Sequence, residues 1–167
     1  GAQATNTIGV KLMLLRTQGF YSLVTNTANY YTDNNFSVAT ATGTGGATWA
    51  SGTSTNPYIR ETFNYVAQQT ALKSNGLVGG EDLVCLIGPD VARAISRSNE
   101  IIDYIKQTPQ SWTEVQGNAP NQNKNYSIPE MLYGIKVVIS NEVVNYGPRG
   151  QDNRTFFSPA NQAIFLC

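Results

Sequence analysis

The chain contains no histidine. That closes histidine-based nucleophile triads, histidine metal sites and the usual proton shuttle near neutral pH. Charge is also scarce: 13% of residues are charged, about half of the roughly 25% usual for a soluble domain. The 11 basic and 11 acidic side chains cancel, so no broad electrostatic grip on nucleic acid or an anionic membrane is expected. The two cysteines are Cys85, inside an apolar run, and Cys167, the last residue. Their placement supports neither a disulfide framework nor a zinc pattern, and Cys85 reads as a small buried hydrophobe. No run of about 18 apolar residues exists, so no membrane span is expected. The N-terminus lacks a basic region leading into an apolar one, and no signal peptide is expected. Gly43-Thr44-Gly45-Gly46 is not followed by Lys-Ser or Lys-Thr, and no Gly-x-Ser-x-Gly occurs. No cofactor and no metal are expected, and the chain does not read as an enzyme.

What is present is enough to fold. At 167 residues, 41% of them hydrophobic, the chain can bury a core without staples. Asn, Thr, Ser, Gln and Gly fill the polar positions that charged residues usually hold. Residues 5 to 24 carry Ile8, Leu12, Leu15 and Leu23 at helical spacing, and Thr25 to Asn56 reads as a loop or loose hairpin. A helix is predicted from Pro57 to Leu72, with Asn56 as N-cap and Pro57 at the first helical position. Ile59, Phe63, Val66 and Thr70 form one stripe on it, and Arg60, Asn64 and Gln68 line another face at intervals of four.

The apolar run Leu83 to Ile87 predicts a strand. After the Gly88-Pro89 turn come helices at Pro89 to Arg97 and, capped by Ser98, at Asn99 to Lys106. Residues 107 to 125 form a long polar loop holding Trp112. Ser127 to Gly134 reads as one capped helical turn feeding the strand Ile135 to Ile139, and further strands are expected at Arg154 to Phe157 and Gln162 to Leu166. The run Ala163 to Cys167 has the pattern of a strand that stops in mid-run, and the natural chain is expected to continue beyond it. A strand, two helices and a strand allow parallel pairing. The fold class is therefore mixed, α+β or α/β, with helices packed on a sheet.

The candidate sites have plain alternatives. Glu81-Asp82 lies in a turn, and Glu100 with Asp103 lies on a helix face where solvated charges are ordinary. Arg93 and Arg97, one turn apart, fit a solvated helix face, or a grip on a phosphate or an acidic partner. Trp112, a large aromatic in a polar loop, fits a contact anchor, whereas Trp49 and Tyr58 fit local packing.

Taken together, Trp49, the Ser54-Thr55-Asn56-Pro57 helix start, Leu83 to Ile87 with Gly88-Pro89, Ala92 to Ile95, Ser98-Asn99-Glu100-Ile101-Ile102 and Leu132-Tyr133-Gly134-Ile135-Lys136-Val137-Val138-Ile139-Ser140 resemble the major capsid proteins of tailed bacteriophages, which share the HK97-like fold. The resemblance implies a peripheral-domain portion over residues 1–78, with the spine helix at about 57–72, and an axial domain over 79–167. It implies a structural, self-assembling subunit of an icosahedral phage or prophage shell around double-stranded DNA. The expected partners are further copies of the chain in pentamers and hexamers, scaffolding and portal proteins, and packaged DNA held by weak non-specific contact. Candidate subunit contacts are Arg60, Asn64, Gln68, Arg93, Arg97, Trp112, Asn121 and Lys124. The competing expectation is a non-enzymatic ligand- or carbohydrate-binding module with a pocket where Trp112, Tyr126 and Asn121 converge.

Overall fold

A computed structural model describes residues 2–107, 122, 123, 126, 128–145, 148 and 150–167. The first element is a 23-residue helix, α1 (Ala2–Val24). Short 3-10 turns and a five-residue helix, α2 (Val38–Thr42), follow it, so the segment expected as a loop or hairpin contains helical turns. Ser37 accounts for α2, because its hydroxyl accepts the Thr40 N–H at 3.1 Å and its backbone is extended, as an N-cap requires. Gly43, at φ 67°, ends the helix in the left-handed region that suits glycine.

Next comes α3 (Tyr58–Lys73), one residue later than the sequence predicts. Pro57 stands in the N-cap position and offers no side-chain acceptor. Asn56 is not the cap, a correction with a consequence below. Ile59, Thr62, Phe63 and Val66 are buried, and burying Ile59, Phe63 and Val66 contributes about 1.5–3 kcal/mol each. Thr62 is buried as a polar link, with Trp49 Nε1 donating to its hydroxyl at 3.1 Å and the hydroxyl donating to the Tyr58 carbonyl at 2.7 Å.

The central layer is a four-stranded sheet in which Met131–Leu132 (β4), Ile135–Ile139 (β5), Val84–Ile87 (β1) and Ala163–Leu166 (β8) lie side by side in that order. Strand β1 (Val84–Ile87) pairs in parallel with β5 (Ile135–Ile139), Cys85 facing Val137. On its other side it pairs antiparallel with β8 (Ala163–Leu166), Cys85 facing Phe165. Between β1 and β5 lie α4 (Pro89–Arg97), which buries Val91, Ala92 and Ile95, and α5 (Asn99–Lys106), which buries Ile101. The sheet is mixed and the fold is of the α+β class. Alternation turns Cys85, Ile87, Ile135 and Val137 into the core, while Lys136 and Val138 point outward. One cluster takes Trp49, Ile59, Phe63 and Val66 from the first half together with Leu83, Ile95, Ile128 and Val137 from the second, so the core crosses the boundary expected at residue 78.

The segment 128–134 departs from the sequence reading. In place of a helical turn, Ile128–Pro129 pairs with Gln122–Asn123 as strands β3 and β2, and Met131–Leu132 forms β4. Leu132 pairs with Ile135 across a two-residue turn in which Tyr133 has φ 51° and Gly134 has φ 86°. Positive φ at both central residues marks a type I′ hairpin, whose twist matches that of its strands. Strands β6 (Val143–Asn145) and β7 (Arg154–Phe156) pair as a separate ribbon.

Candidate subunit-interaction surfaces

The polar centre of the described residues is Glu100. It was expected on a solvated face, but it is only 5% exposed, and its carboxylate accepts three hydrogen bonds. Ile59 N–H donates to Oε2 at 2.9 Å, Arg60 N–H donates to Oε1 at 2.9 Å, and the Tyr133 hydroxyl donates to Oε1 at 2.7 Å. The first two are N–H groups of the first turn of α3, which lack a partner within the helix, and Pro57 supplies no acceptor. A carboxylate at that end is also favoured by the helix dipole. Glu100 therefore caps α3 from 40 residues away.

Residues 52 and 98 complete the arrangement. Gly52 carbonyl accepts from Ser98 Oγ at 3.2 Å and from Glu100 N–H at 3.3 Å. Ser98 is the residue before α5, yet its hydroxyl is spent on Gly52 and makes no side-chain cap, which corrects the expected role. A Cβ at residue 52 would stand 2.9 Å from Glu100 Oε2, so that the carboxylate would have to shift, and 3.1 Å from Ser98 Oγ, which would have to give by a few tenths of an ångström. Tyr133 holds a left-handed backbone that bulky residues rarely adopt. Burial, followed by the Glu100 hydrogen bond and charge, pushes its phenol well above the usual 10.0. The residue is 38% exposed, but its hydroxyl is turned to Glu100. The acceptors and donors of this cluster are committed to one another. It fastens α3, α5, the Gly52 loop and the β4–β5 hairpin into one body.

The sequence-predicted contacts lie outside that cluster. Arg60, Asn64 and Gln68 form an exposed row on α3, as their spacing indicates. On α4, Arg93 and Arg97 are exposed, and Arg93 bonds Asp90 at 3.0 Å, an exposed i,i+3 pair that contributes little to stability. Trp112, Asn121 and Lys124 fall outside the described residues. Of the pocket expected around Trp112, Tyr126 and Asn121, Tyr126 is the described member, and its hydroxyl bonds Asn141 Oδ1 at 2.9 Å. A separate open cleft of about 350 Å³ lies against α2 and α3, lined by Asp33, Asn35, Phe36, Ser37, Tyr65 and Gln69. Trp49 packs locally: it is buried, with its ring centroid 5.8 Å from that of Phe63. No cluster of three His, Cys, Asp or Glu residues that could hold a metal occurs among the described residues.

Sequence reasoning missed α1 as a surface. Ile8, Leu12, Leu15 and Leu23 are 57–64% exposed, and Met13 is 72% exposed. The face turned to the body is Leu14, Thr17, Gln18, Tyr21 and Val24, anchored by Tyr21, whose ring stacks on Phe157 with centroids 6.3 Å apart. The signal was in the sequence: apolar residues surround α1 on all sides, more than one face of a helix can bury.

Among known proteins, no family model, no curated protein and no solved structure matches the chain.

Proposed function

We propose that the chain is a structural subunit of an icosahedral phage or prophage capsid, self-assembling into pentamers and hexamers that enclose double-stranded DNA. The reading is supported by the order and use of the parts. A helix with an exposed polar row, α3, is locked through Glu100 to a strand, helix, helix, parallel-strand unit, and the longest helix, α1, presents apolar side chains to solvent. A subunit repeated around symmetry axes needs a rigid body and several outward faces. On this reading α3, the helix at Tyr58–Lys73, is the spine. The rows Arg60, Asn64, Gln68 and Arg93, Arg97 then serve as polar lateral contacts. Further partners on this reading are scaffolding and portal proteins, with DNA touched weakly and non-specifically, and the site of action is the virion shell. No helix among the described residues is long and apolar enough to cross a membrane. Negative-stain electron microscopy of the purified product tests the proposal: closed shells or uniform capsomers are expected, and a persistent monomer overturns it.

A second reading, a non-enzymatic carbohydrate-binding module, is favoured by the cleft beside α2, where Phe36 and Tyr65 meet edge to face at 4.9 Å among Asp33, Asn35 and Gln69. Aromatic faces beside amide and carboxylate groups suit sugar rings. Saturable calorimetric binding of a mono- or disaccharide that is lost in Tyr65→Ala would put this reading first.

A further inference from the structure

The cleft beside α2 is built by two short stretches of chain. On α3, Tyr65 and Gln69 stand four residues apart, so they share one face of the helix, and both are half-buried there. Against them lies the segment that leads into α2, where a 3-10 turn (Thr32–Asn34) carries Asp33 and is followed by Asn35 and Phe36. The rings of Phe36 and Tyr65 meet edge to face with centroids 4.9 Å apart, and both line the cleft. At about 350 Å³ the space lies at the small end of the range usual for ligand sites, roughly 300–1,000 Å³.

The polar groups that converge here are unengaged. Among the described residues, the Asp33 carboxylate, the Asn35 and Gln69 amides and the Tyr65 hydroxyl have no hydrogen-bond or ion-pair partner. Lys73 does not line the cleft and does not pair with the carboxylate: its ammonium donates to the Asp33 backbone carbonyl at 3.2 Å and to Asn34 Oδ1. The lining therefore carries one negative charge and no positive one. A carboxylate and two aromatic rings around one small space favour a cation, the carboxylate through charge-assisted hydrogen bonds and the rings through their negative faces. The two amides offer donors and acceptors, which suit hydroxyl groups. We infer that the cleft binds an amino sugar, with the protonated amine against Asp33 and the sugar ring against Tyr65 and Phe36. Binding of this kind rests on the carbohydrate reading of the same cleft and narrows the class of sugar, and it is independent of the capsid reading.

Titration calorimetry on the full chain at about pH 6, where an amine of this kind is protonated, tests it. Glucosamine is expected to bind at least about tenfold more tightly than glucose or N-acetylglucosamine, which keep the ring but lack the charge. Asp33→Asn, a change at an exposed residue, is expected to keep the parent's circular dichroism and to abolish that preference, while Asp33→Glu retains part of it. Raising the salt from about 0.05 M to about 0.5 M should shrink the preference. Equal affinity for glucosamine and glucose overturns the inference and leaves the carbohydrate reading standing, as does a preference that survives in Asp33→Asn. Ethylamine that binds as tightly as glucosamine overturns it in favour of a bare ammonium ligand. No saturable binding of glucosamine overturns it as well, and the carbohydrate reading then stands or falls with the neutral sugars.

Discussion

The carboxylate of Glu100 and the backbone N–H of Ile59 are 41 residues apart in sequence and 2.9 Å apart in space. This bond and its neighbour at Arg60 give α3 the cap that Pro57 cannot provide. Glu100→Ala leaves two helix N–H groups and a phenol without their acceptor, and it should cost about 3 kcal/mol. Glu100→Gln keeps one acceptor oxygen but turns an N–H₂ toward donors, and it should cost about 1–2 kcal/mol. Urea unfolding monitored by circular dichroism measures both; equal stability of Glu100→Ala and parent would refute the capping role.

Gly52→Ala places a methyl group 2.9 Å from Glu100 Oε2. The carboxylate must move away from Ile59, so the substitution should destabilise by about 1–3 kcal/mol. Because the damage runs through Glu100, the double variant Gly52→Ala, Glu100→Ala should lose markedly less than the sum of the two single losses. Strict additivity in a double-mutant cycle would show that the two residues act independently.

Why Glu100 escaped the sequence reading is physical. Strand β1 and helices α3, α4 and α5 were legible because their apolar spacing is local, and β1 and β5 pair in parallel as the two intervening helices allow. The role of Glu100 depends on where α5 ends up relative to α3, which no local window contains. One cue existed: a helix that starts at proline has N–H groups in search of an acceptor. The β4–β5 hairpin was hidden for another reason. A type I′ turn normally announces itself with Asn-Gly or Asp-Gly, and here tyrosine holds the first position, tethered by its hydroxyl to Glu100.

That tether gives a pH signature. The Tyr133 phenol is raised in the folded chain above its ordinary 10.0, by burial first and by Glu100 second. A raised folded value means that the contribution is fully present below 10 and is lost as pH climbs above it. Parent and Tyr133→Phe should therefore converge in stability as pH rises, with the parent's advantage at pH 8 shrinking by about pH 11. Thermal melts across that range decide the matter. A gap that stays constant would contradict the assignment. Cys85 follows the same sign in both proteins and drops out of the difference.

Cys85 has its own test. Burial pushes its thiol from 9.0 to about 12, so almost no thiolate exists near neutrality, and the thiolate is the reactive form. Ellman's reagent at about pH 8 should titrate the exposed Cys167 rapidly in the native chain and Cys85 only after unfolding. Rapid reaction of both thiols without denaturant would show that β1 opens readily.

The position of β1 between β5 and β8 has a consequence for synthesis. Residues 84–87 can take up β5 once about 140 residues have been made, but their second edge has no partner until residues 163–166 follow. Until then a strand of Val, Cys, Leu and Ile offers an open hydrogen-bonding edge. A chain interrupted before residue 163 would carry its most apolar strand half paired, in the state most prone to join the wrong neighbour. Residues 163–166 thus act as the latch that closes this edge once they are made.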